Sequence, residues 1–504
     1  MLSLTKRVLS GVALAGLVAV TAPSFAEAQE RFVLGLASPI LTFHPWDQNG
    51  SDVQHHPQFY NRLVYYDKEL NPVSDLAESW EFSDDGTVLT LNLREGIMFQ
   101  TGKEFTSEDI RRSWLQITEG EFHGSHANLK PLAQLVSEIR TPDPYTAEIV
   151  YEQPNPAVFD FLDLFYVVDM DAWDQHNDMP IGTGPYKLKE YLPGNRIVME
   201  VFEGYWGPIP EVEEIEFRII PDPKARTLNL QSGEVDAIMF FPTRDVNLLR
   251  DAGFEVWATN PNGLIFDLLF GVNKPPLDDK RVRQAIALMI NRDRFHRIVM
   301  GGLGEPRCMP WSENQIAYDP ELATSCEFNP EKAKALLEEA GFGDGFEVEI
   351  ITSTQQSPER AKFAELLQND LRQIGIDVKI RDMDAAGATS VYRAKDYALY
   401  THTFGRANKD PASLFGTATV WKPVGNTQNY DNPEYERLTK EAASTLDLEK
   451  RKELYAQINQ IVVDDVFIVA YHTNPRWIAH STEWEGIDAS VDGDVYLFGV
   501  KPAS

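Results

Sequence analysis

FEVEIITSTQQSPERAKFAELLQNDLRQIGIDVKIRDM, residues 346–383, decides the fold class of this chain. Residues 346–352 have the composition of a strand, and residues 376–383 have that of a second one. Between them lies a helix pattern that Ser357 can cap and Gly375 can end. Two strands joined by a helix run parallel with a right-handed crossover. The stretch therefore predicts an α/β architecture built on a parallel sheet.

The flanking sequence adds helices on one side and antiparallel strands on the other. Residues 276–302 predict one long amphipathic helix, and a further helix is predicted to begin at Asn329. In the earlier part, Asp85-Gly86 lies between two alternating runs, which indicates a β-hairpin. Residues 484–504 return to strand-like sequence. A chain that leaves one lobe and comes back to it predicts two lobes with a cleft, where ligands commonly bind.

The first 28 residues have the composition of a secretory signal peptide. Lys6 and Arg7 precede an apolar run, and small residues allow cleavage after Ala26 or Ala28. No cysteine follows the cleavage site, so we expect a periplasmic chain that is not a lipoprotein. The formal charge of −31 argues against nucleic acid as a partner, because phosphates and an acidic surface repel each other.

Gly182-Thr183-Gly184 raises the question of a phosphate-binding loop. A dinucleotide fingerprint needs a third glycine and a helix, whereas Lys187 occupies the third glycine position and strand-like sequence follows. That sequence predicts a hairpin with its turn at Pro193-Gly194-Asn195. We therefore expect the two glycines to permit tight backbone geometry, and we predict no nucleotide cofactor.

Motifs of enzymes and metal sites are missing from the sequence. HExxH, GxSxG, CxxC and the P-loop pattern do not occur, and the histidine pairs lack a third ligand nearby. We predict no catalytic residue, no metal and no cofactor. In an oxidising compartment Cys308 and Cys326 predict one disulfide, with a metal-binding pair as the alternative.

Four stretches carry a resemblance to a known family, and they occur in the family's order. They are SWEFSDDGTVLTLNLREGIMFQTGKEFTSEDIRRSW at 79–114, GTGPYKLKEYLPGNRIVMEVFEGYWG at 182–207, FGVNKPPLDDKRVRQAIALMINRD at 270–293 and YDNPEYERL at 430–438. The chain resembles the family 5 solute-binding proteins of ABC importers, which carry peptides, opines, nickel chelates and related solutes. The resemblance covers nearly all of the chain after the signal peptide.

This resemblance implies a two-lobed type II periplasmic-binding-protein fold. An enlarged α+β first lobe is expected at 29–272, with a C-terminal return at 475–504, and a doubly wound α/β second lobe at 273–474. The implied function is the capture of a small-molecule or short-peptide solute, which an inner-membrane ABC permease with ATPase subunits then receives. We expect a monomer. The alternatives are a secreted hydrolase and a chaperone-like module that binds peptides broadly.

The segment THTFGRANKDPASLF, 401–415, supplies candidate ligand contacts at the end of a predicted strand. The candidates are His402, Phe404, Arg406 and Asn408, with Trp421 further along. An aromatic ring offers an apolar wall, and Arg406 can hold a carboxylate with two hydrogen bonds. In the family that the chain resembles, this segment carries an aromatic residue facing the ligand, which favours Phe404. The alternative is an ordinary loop with Phe404 in the core.

The resemblance also implies a ligand-facing loop after the opening strand of the first lobe. His44, Trp46 and Asp47 lie there, with Trp46 as a stacking surface and Asp47 for a cation of the ligand. The alternative is that Pro45 and Trp46 only pack this loop against the core.

Two positions argue against a free dipeptide as the solute. Dipeptide binders of this family carry an acidic residue where this chain has Ala407, and an arginine where it has Thr354. Without these charges the termini of a dipeptide would be buried and unpaired. Thr354 remains a candidate contact for another solute. No histidine follows Phe404 within twenty residues, so nickel is not indicated either, and the identity of the solute stays open.

Overall fold

The computed structural model describes residues 31–46, 52–120, 126–176 and 178–504. The predicted signal peptide, 1–28, and the candidate Asp47 lie outside the described residues. Among the helices of the described part, none has the length and apolar character that crossing a membrane requires.

The strands of the described chain are grouped in two large sheets, one four-stranded sheet and short pairs. Their bounds are β1 Arg31–Leu36, β2 Val64–Tyr66, β3 Pro72–Ser74, β4 Ala77–Phe82, β5 Val88–Leu93, β6 Val136–Asp143, β7 Thr146–Tyr151, β8 Tyr186–Leu192, β9 Arg196–Val201, β10 Glu214–Ile219, β11 Ala237–Met239, β12 Glu255–Asn260, β13 Leu264–Phe270, β14 Phe346–Thr352, β15 Ile376–Asp382, β16 Leu399–Gly405, β17 Ile468–Thr473, β18 Arg476–His480, β19 Trp484–Glu485, β20 Asp488–Ala489, β21 Val495–Tyr496 and β22 Lys501–Pro502.

Helices connect and cover these strands. Their bounds are α1 His56–Phe59, α2 Ser107–Glu119, α3 His126–Ala133, α4 Val158–Leu162, α5 Pro223–Gln231, α6 Val246–Asp251, α7 Lys280–Leu288, α8 Arg292–Ile298, α9 Pro330–Glu339, α10 Pro358–Leu371, α11 Ala385–Ala394, α12 Pro411–Thr417, α13 Pro433–Ala443 and α14 Leu448–Asp465.

The first lobe contains the seven-stranded sheet, ordered β12-β18-β11-β1-β10-β9-β8, and the four-stranded antiparallel sheet, ordered β4-β5-β7-β6. Strand β1 runs parallel to both of its neighbours, β10 and β11. One hydrophobic core joins the two sheets, and Trp484 and Val495 of the C-terminal return are buried in it. The return segment is therefore an integral part of the first lobe.

The second lobe is built on a five-stranded sheet, ordered β15-β14-β16-β13-β17. Strand β14 is parallel to β15 and to β16, and α10 connects β14 to β15. The predicted parallel unit is therefore present, with Ser357 accepting a hydrogen bond from the N–H of Arg360 as the cap. Gly375 ends the helical segment in the left-handed conformation, with φ of 85°. Hydrophobic clusters cover both faces of the sheet.

The chain passes between the lobes twice, at 261–263 and at 474–475. Strand β13 already pairs with β16 and β17 in the second sheet, so the boundary predicted between 272 and 273 lies too far along the chain. The reason is that LIFDLLF, apolar except for Asp267, is typical of a strand buried on both faces. The break precedes this run, at Pro261-Asn262-Gly263.

The prediction of one continuous helix over 276–302 is wrong. The structure has two helices, α7 and α8, separated after Leu288. The side chain of Asn291 accepts a hydrogen bond from the N–H of Arg294, so it caps the second helix. The break could not be seen in the sequence, because the amphipathic pattern continues through the residues that cap the second helix.

The two glycines at 182 and 184 pack directly against the backbone of the first lobe. A Cβ atom at Gly182 would lie 2.2 Å from the carbonyl oxygen of Phe59, and one at Gly184 would lie 2.4 Å from the carbonyl carbon of Phe59. The N–H of Gly184 donates to the oxygen of Phe59 at 2.9 Å. These glycines allow two backbone segments to touch, and the hairpin β8–β9 follows them as predicted.

Two further local features are a helix cap and a disulfide bond. Thr106 and Asp109 form a reciprocal capping box at the start of α2. A disulfide bond joins Cys308 to Cys326, whose Cα atoms lie 5.4 Å apart.

Candidate functional site

A cleft of about 930 Å³ opens between the two lobes. The first lobe lines it with the start of α5, the segment after β11 and the start of β18. The second lobe lines it with the start of α10, the C-terminal half of α11 and strand β16. Asn474 and Pro475, which form one of the two connections between the lobes, also line the cleft. It therefore lies where strand ends of two α/β sheets face each other, the usual ligand position in such folds.

On the second lobe, His402 is held in the cleft wall by two contacts. Its Nδ1 lies 3.0 Å from a carboxylate oxygen of Asp267, which is buried on the neighbouring strand β13. Its ring stacks on Tyr392 of α11, with centroids 5.1 Å apart and an interplanar angle of 10°. Tyr400 lines the cleft beside them. This wall is aromatic, and its orientation is fixed by packing.

Four arginines line the same cleft: Arg226, Arg360, Arg393 and Arg476. Arg226 and Arg476 belong to the first lobe, and Arg360 and Arg393 to the second. In the part of the chain that the structure describes, no carboxylate lies within ion-pair distance of any of the four. Burial lowers the pKa of Arg226 and of Arg360 from the usual arginine value.

The predicted loop after β16 runs along the contact between the lobes rather than into this cleft. Arg406 has a left-handed backbone, with φ of 64°, and its Nη2 is buried without a hydrogen-bond partner among the described residues. The side-chain nitrogen of Asn408 donates to the carbonyl oxygen of Val491 at 2.6 Å. Asn408 also lines a smaller cavity of about 230 Å³ near 258–262.

Phe404 and Trp421 lie in the hydrophobic core of the second lobe. Phe404 is 4% exposed, and its ring meets that of Trp421 edge to face, with centroids 5.7 Å apart. Trp421 also packs against Trp311 and Phe467. This placement agrees with the alternative that Phe404 is a core residue, and a ligand-facing role for either ring stays a prediction.

The remaining predicted residues are also engaged with the protein. Trp46 is buried in the core of the first lobe, where its Nε1 donates to the carbonyl oxygen of Tyr166 at 3.2 Å, and His44 packs beside it. Thr354 donates both its N–H and its hydroxyl to the carboxylate of Asp382, at 2.9 and 2.7 Å. Of the predicted contacts within the described residues, His402 is the one that lines the large cleft.

A buried cluster of charges, not predicted from the sequence, lies between the lobes. The ammonium group of Lys409 forms an ion pair with Asp163 of the first lobe and lies 3.4 Å from Asp492. Next to it, the backbone N–H of Asp410 donates to Asp160 at 3.0 Å. Asp160 and Asp163 are three residues apart in the apolar stretch VFDFLDLF, and carboxylates in such a stretch were the available signal.

Burial and neighbouring positive charges shift the pKa values of the carboxyl groups in this cluster in opposite directions. Arg62 links Asp494 to this cluster, because it pairs with Asp163 at 3.2 Å and with Asp494 at 3.6 Å. Burial raises the pKa of Asp494 to about 6, although Arg62 opposes the shift. Burial raises the pKa of Asp160 in the same way, to about 6. At Asp492 burial acts to raise the pKa, but Lys409 and Arg406 outweigh it and hold the value at about 2.

Comparison with known proteins assigns the family. The chain matches the family model of bacterial extracellular solute-binding proteins, family 5 Middle, over residues 71–426. It belongs to this family. As a family 5 protein it is 30% identical over 470 residues to the dipeptide-binding protein of Escherichia coli (strain K12), with 86% of each chain covered. It is 28% identical over 474 residues to the glutathione-binding protein of the same strain, covering 90% of this chain and 91% of the relative.

Solved structures of family 5 proteins share the fold. HbpA2 from Haemophilus parasuis aligns with a TM-score of 0.80 and 25% identity, covering 94% of this chain and all of that one. NikA from Brucella suis, in complex with Fe(III)-EDTA, aligns with a TM-score of 0.84 and 21% identity over the same shares. The type II periplasmic-binding fold is thereby confirmed. The chain is the solute-binding component of an ABC importer, and the alternative of a secreted hydrolase is not supported.

Proposed function

We propose that this chain captures a small polar solute in the cleft between its lobes and delivers it to an inner-membrane permease with ATPase subunits. The observation that carries the proposal is that both lobes line one cleft beside a connection between them, at Asn474 and Pro475. A solute that touches both walls binds the closed arrangement better than the open one. The permease would then recognise the closed, solute-bound arrangement.

Export and assembly belong to the same proposal. The chain is secreted by the signal peptide at 1–28, cleaved after Ala26 or Ala28, left without lipid and active as a monomer. N-terminal sequencing and intact mass of protein from the periplasmic fraction test this. A mature chain that begins at Met1, or one that carries added lipid mass, would contradict it. Sedimentation at micromolar concentration checks the monomer.

A free dipeptide is the second candidate, because the dipeptide-binding relative is 30% identical. Two features of the structure disfavour it. Ala407 is fully buried and offers no charge to an amine, and Thr354 is already bonded to Asp382. A dipeptide would have to find partners for both termini elsewhere in the cleft.

The first experiment measures the solute that the protein retains. Protein purified from the periplasm is denatured, the released small molecules are identified by mass spectrometry, and the refolded protein is titrated with them by calorimetry. We expect an intact small solute that binds once per chain. Recovery of a chemically changed solute after incubation would contradict a binding role.

A substitution in the cleft wall tests the location of the site. Tyr392→Ala removes the ring that stacks on His402, and we expect at least a tenfold loss of affinity, the typical effect of removing an interface aromatic. Tyr145→Ala is the matched control, since Tyr145 lies between β6 and β7 on the four-stranded sheet, away from the cleft. Equal affinities for the two variants would place the site elsewhere.

A further inference from the structure

The walls of the large cleft carry the opposite charge to the rest of the molecule. The chain as a whole has a formal charge of −31, yet the cleft is lined by four arginines and by one carboxylate, that of Glu359. A cleft lined by charges of one sign concentrates the field between its walls and attracts ligands of the other sign. The local positive charge is therefore a property of the site and not of the surface.

Two of these arginines are buried and form no direct ion pair with a carboxylate of the described residues. Arg226 is 2% exposed and donates to the carbonyl oxygens of Pro221 and Phe240, at 3.0 and 2.7 Å. Arg360 is 6% exposed and donates to the carbonyl oxygen of Thr401 at 3.1 Å. The Nε of each lacks a hydrogen-bond partner in the described chain. Buried charges in proteins are normally paired, so these two keep a positive potential that a bound anion would neutralise.

The other two arginines are available for direct contact. Arg393 is exposed on α11 of the second lobe. Arg476, at the start of β18 in the first lobe, lies 5.9 Å from the centre of the Phe240 ring. Because they come from different lobes, one anion that binds both would favour closure. Guanidinium groups suit this role, since they bind carboxylates and phosphates with two parallel hydrogen bonds.

Two helix N-termini add to the positive electrostatic potential in the cleft. Helix α5 begins at Pro223 and α10 at Pro358, and both prolines line the cleft. The N-terminus of a helix carries partial positive charge and free N–H groups. Asp222 caps α5 and Glu359 lies in the first turn of α10, so part of this effect is neutralised locally. The arginines remain the larger source of positive charge.

We infer that the solute of this cleft is a small organic anion, bound through carboxylate or phosphate groups to Arg393 and Arg476. Aromatic side chains of Tyr392 and Phe240 flank the same space and would contact its carbon skeleton. The inference rests on the proposed function, because it names the chemical class of the solute for that site. Arg226 and Arg360 hold backbone segments and contribute potential, so they are positioning residues.

Four probes distinguish the chemical classes. Citrate represents carboxylates, glycerol 3-phosphate represents phosphates, Ala-Ala is a zwitterionic dipeptide and spermidine is a cation. Thermal unfolding is measured with each probe at equal concentration and at two salt concentrations. We expect citrate or glycerol 3-phosphate to raise the melting temperature, and the rise to shrink at high salt. Stabilisation by Ala-Ala or spermidine alone, or by none of the four, overturns the inference.

Variants that remove or conserve the charge of each arginine test the named contacts. Arg393→Gln and Arg476→Gln are expected to weaken binding of the stabilising anion at least tenfold, and Arg393→Lys is expected to recover part of the loss. Arg297→Gln is the control, because Arg297 is exposed on α8 and outside the cleft. Equal affinities for the cleft variants and the control overturn the inference.

These results separate the two proposals. If Tyr392→Ala weakens solute binding and the arginine variants do not, the cleft is the site and its solute is not held by these charges. If all of the cleft variants bind normally, the location of the site is wrong as well.

Discussion

Lys409 of the second lobe and Asp163 of the first lobe form an ion pair from which solvent is excluded. The side chain of Lys409 has no exposed surface, and its ammonium group lies 4.9 Å from the centre of the Tyr66 ring. Asp492 of the C-terminal return provides a second carboxylate at 3.4 Å. A buried ammonium group thus joins the lobes in the arrangement that the structure shows.

Removing this ammonium group should destabilise the protein strongly. Lys409→Ala leaves Asp163 and Asp492 buried with one cation fewer, and loss of one partner from a buried pair costs about 3–5 kcal/mol. Urea unfolding measures the change. Lys440→Ala is the control, since Lys440 pairs with Glu436 on an exposed helix face and should change stability by about 0.5 kcal/mol or less. A loss below about 1 kcal/mol for Lys409→Ala would show that the pair is not essential.

Asp494 should make stability depend on pH between about 4 and 6. Burial raises its pKa to about 6, so the folded protein binds a proton that the unfolded chain, with an ordinary carboxyl, has already lost. The free energy of unfolding should therefore fall as pH rises through this window, by about 3 kcal/mol in order of magnitude.

The variant Asp494→Asn isolates this contribution. Its free energy of unfolding should fall less steeply than that of the wild type between pH 4 and 6, and the two slopes should agree above pH 7. Urea unfolding at intervals of half a pH unit gives both curves. A difference between the two proteins that stays constant over the whole range would refute the assigned pKa.

Replacing either glycine of the 182–184 segment by alanine should destabilise the first lobe. The added Cβ would lie within 2.4 Å of the backbone at Phe59, so one backbone segment must move, and overpacking typically costs about 1–3 kcal/mol or more. Gly416→Ala is the matched control, because its Cβ meets no atom within 4 Å and it lies within α12. The control should be neutral or slightly stabilising. Equal melting temperatures for all variants would falsify the packing role.

Phe404→Ala tests whether this ring belongs to the core or to the site. From its burial we expect a loss of about 3–5 kcal/mol in the unfolding free energy of the solute-free protein. Phe82→Ala, with a ring 44% exposed on β4, should cost much less. Unchanged stability together with a thirtyfold weaker affinity for the solute would instead support a ring that faces the ligand.

The fold could be predicted where local signals agree with tertiary structure. Residues 346–383 contain helix caps at both ends of the helix and strands of the usual length, so the parallel β-α-β unit could be predicted. The hairpin β8–β9 could be predicted for the same reason. The boundary near 262 could not be predicted, because β13 is apolar on both faces apart from Asp267 and shows no periodicity.

The candidate site depends on contacts between segments that are far apart in sequence. Arg226, Arg360, Arg393 and Arg476 come from four elements, and nothing local distinguishes them from surface arginines until the lobes are assembled. Phe404 was favoured by a resemblance, and its burial depends on Trp421, another segment of the same lobe. Spacing rules cannot reveal such a site.

The position of β18 has a consequence for biosynthesis. This strand lies between β11 and β12 and pairs with both, so residues 476–480 fill a gap left by strands made more than two hundred residues earlier. A growing chain can therefore complete the second lobe before the first lobe has a continuous sheet. Pairing over such sequence distances is slow. The first lobe therefore stays without its complete larger sheet until almost the whole polypeptide has been synthesised.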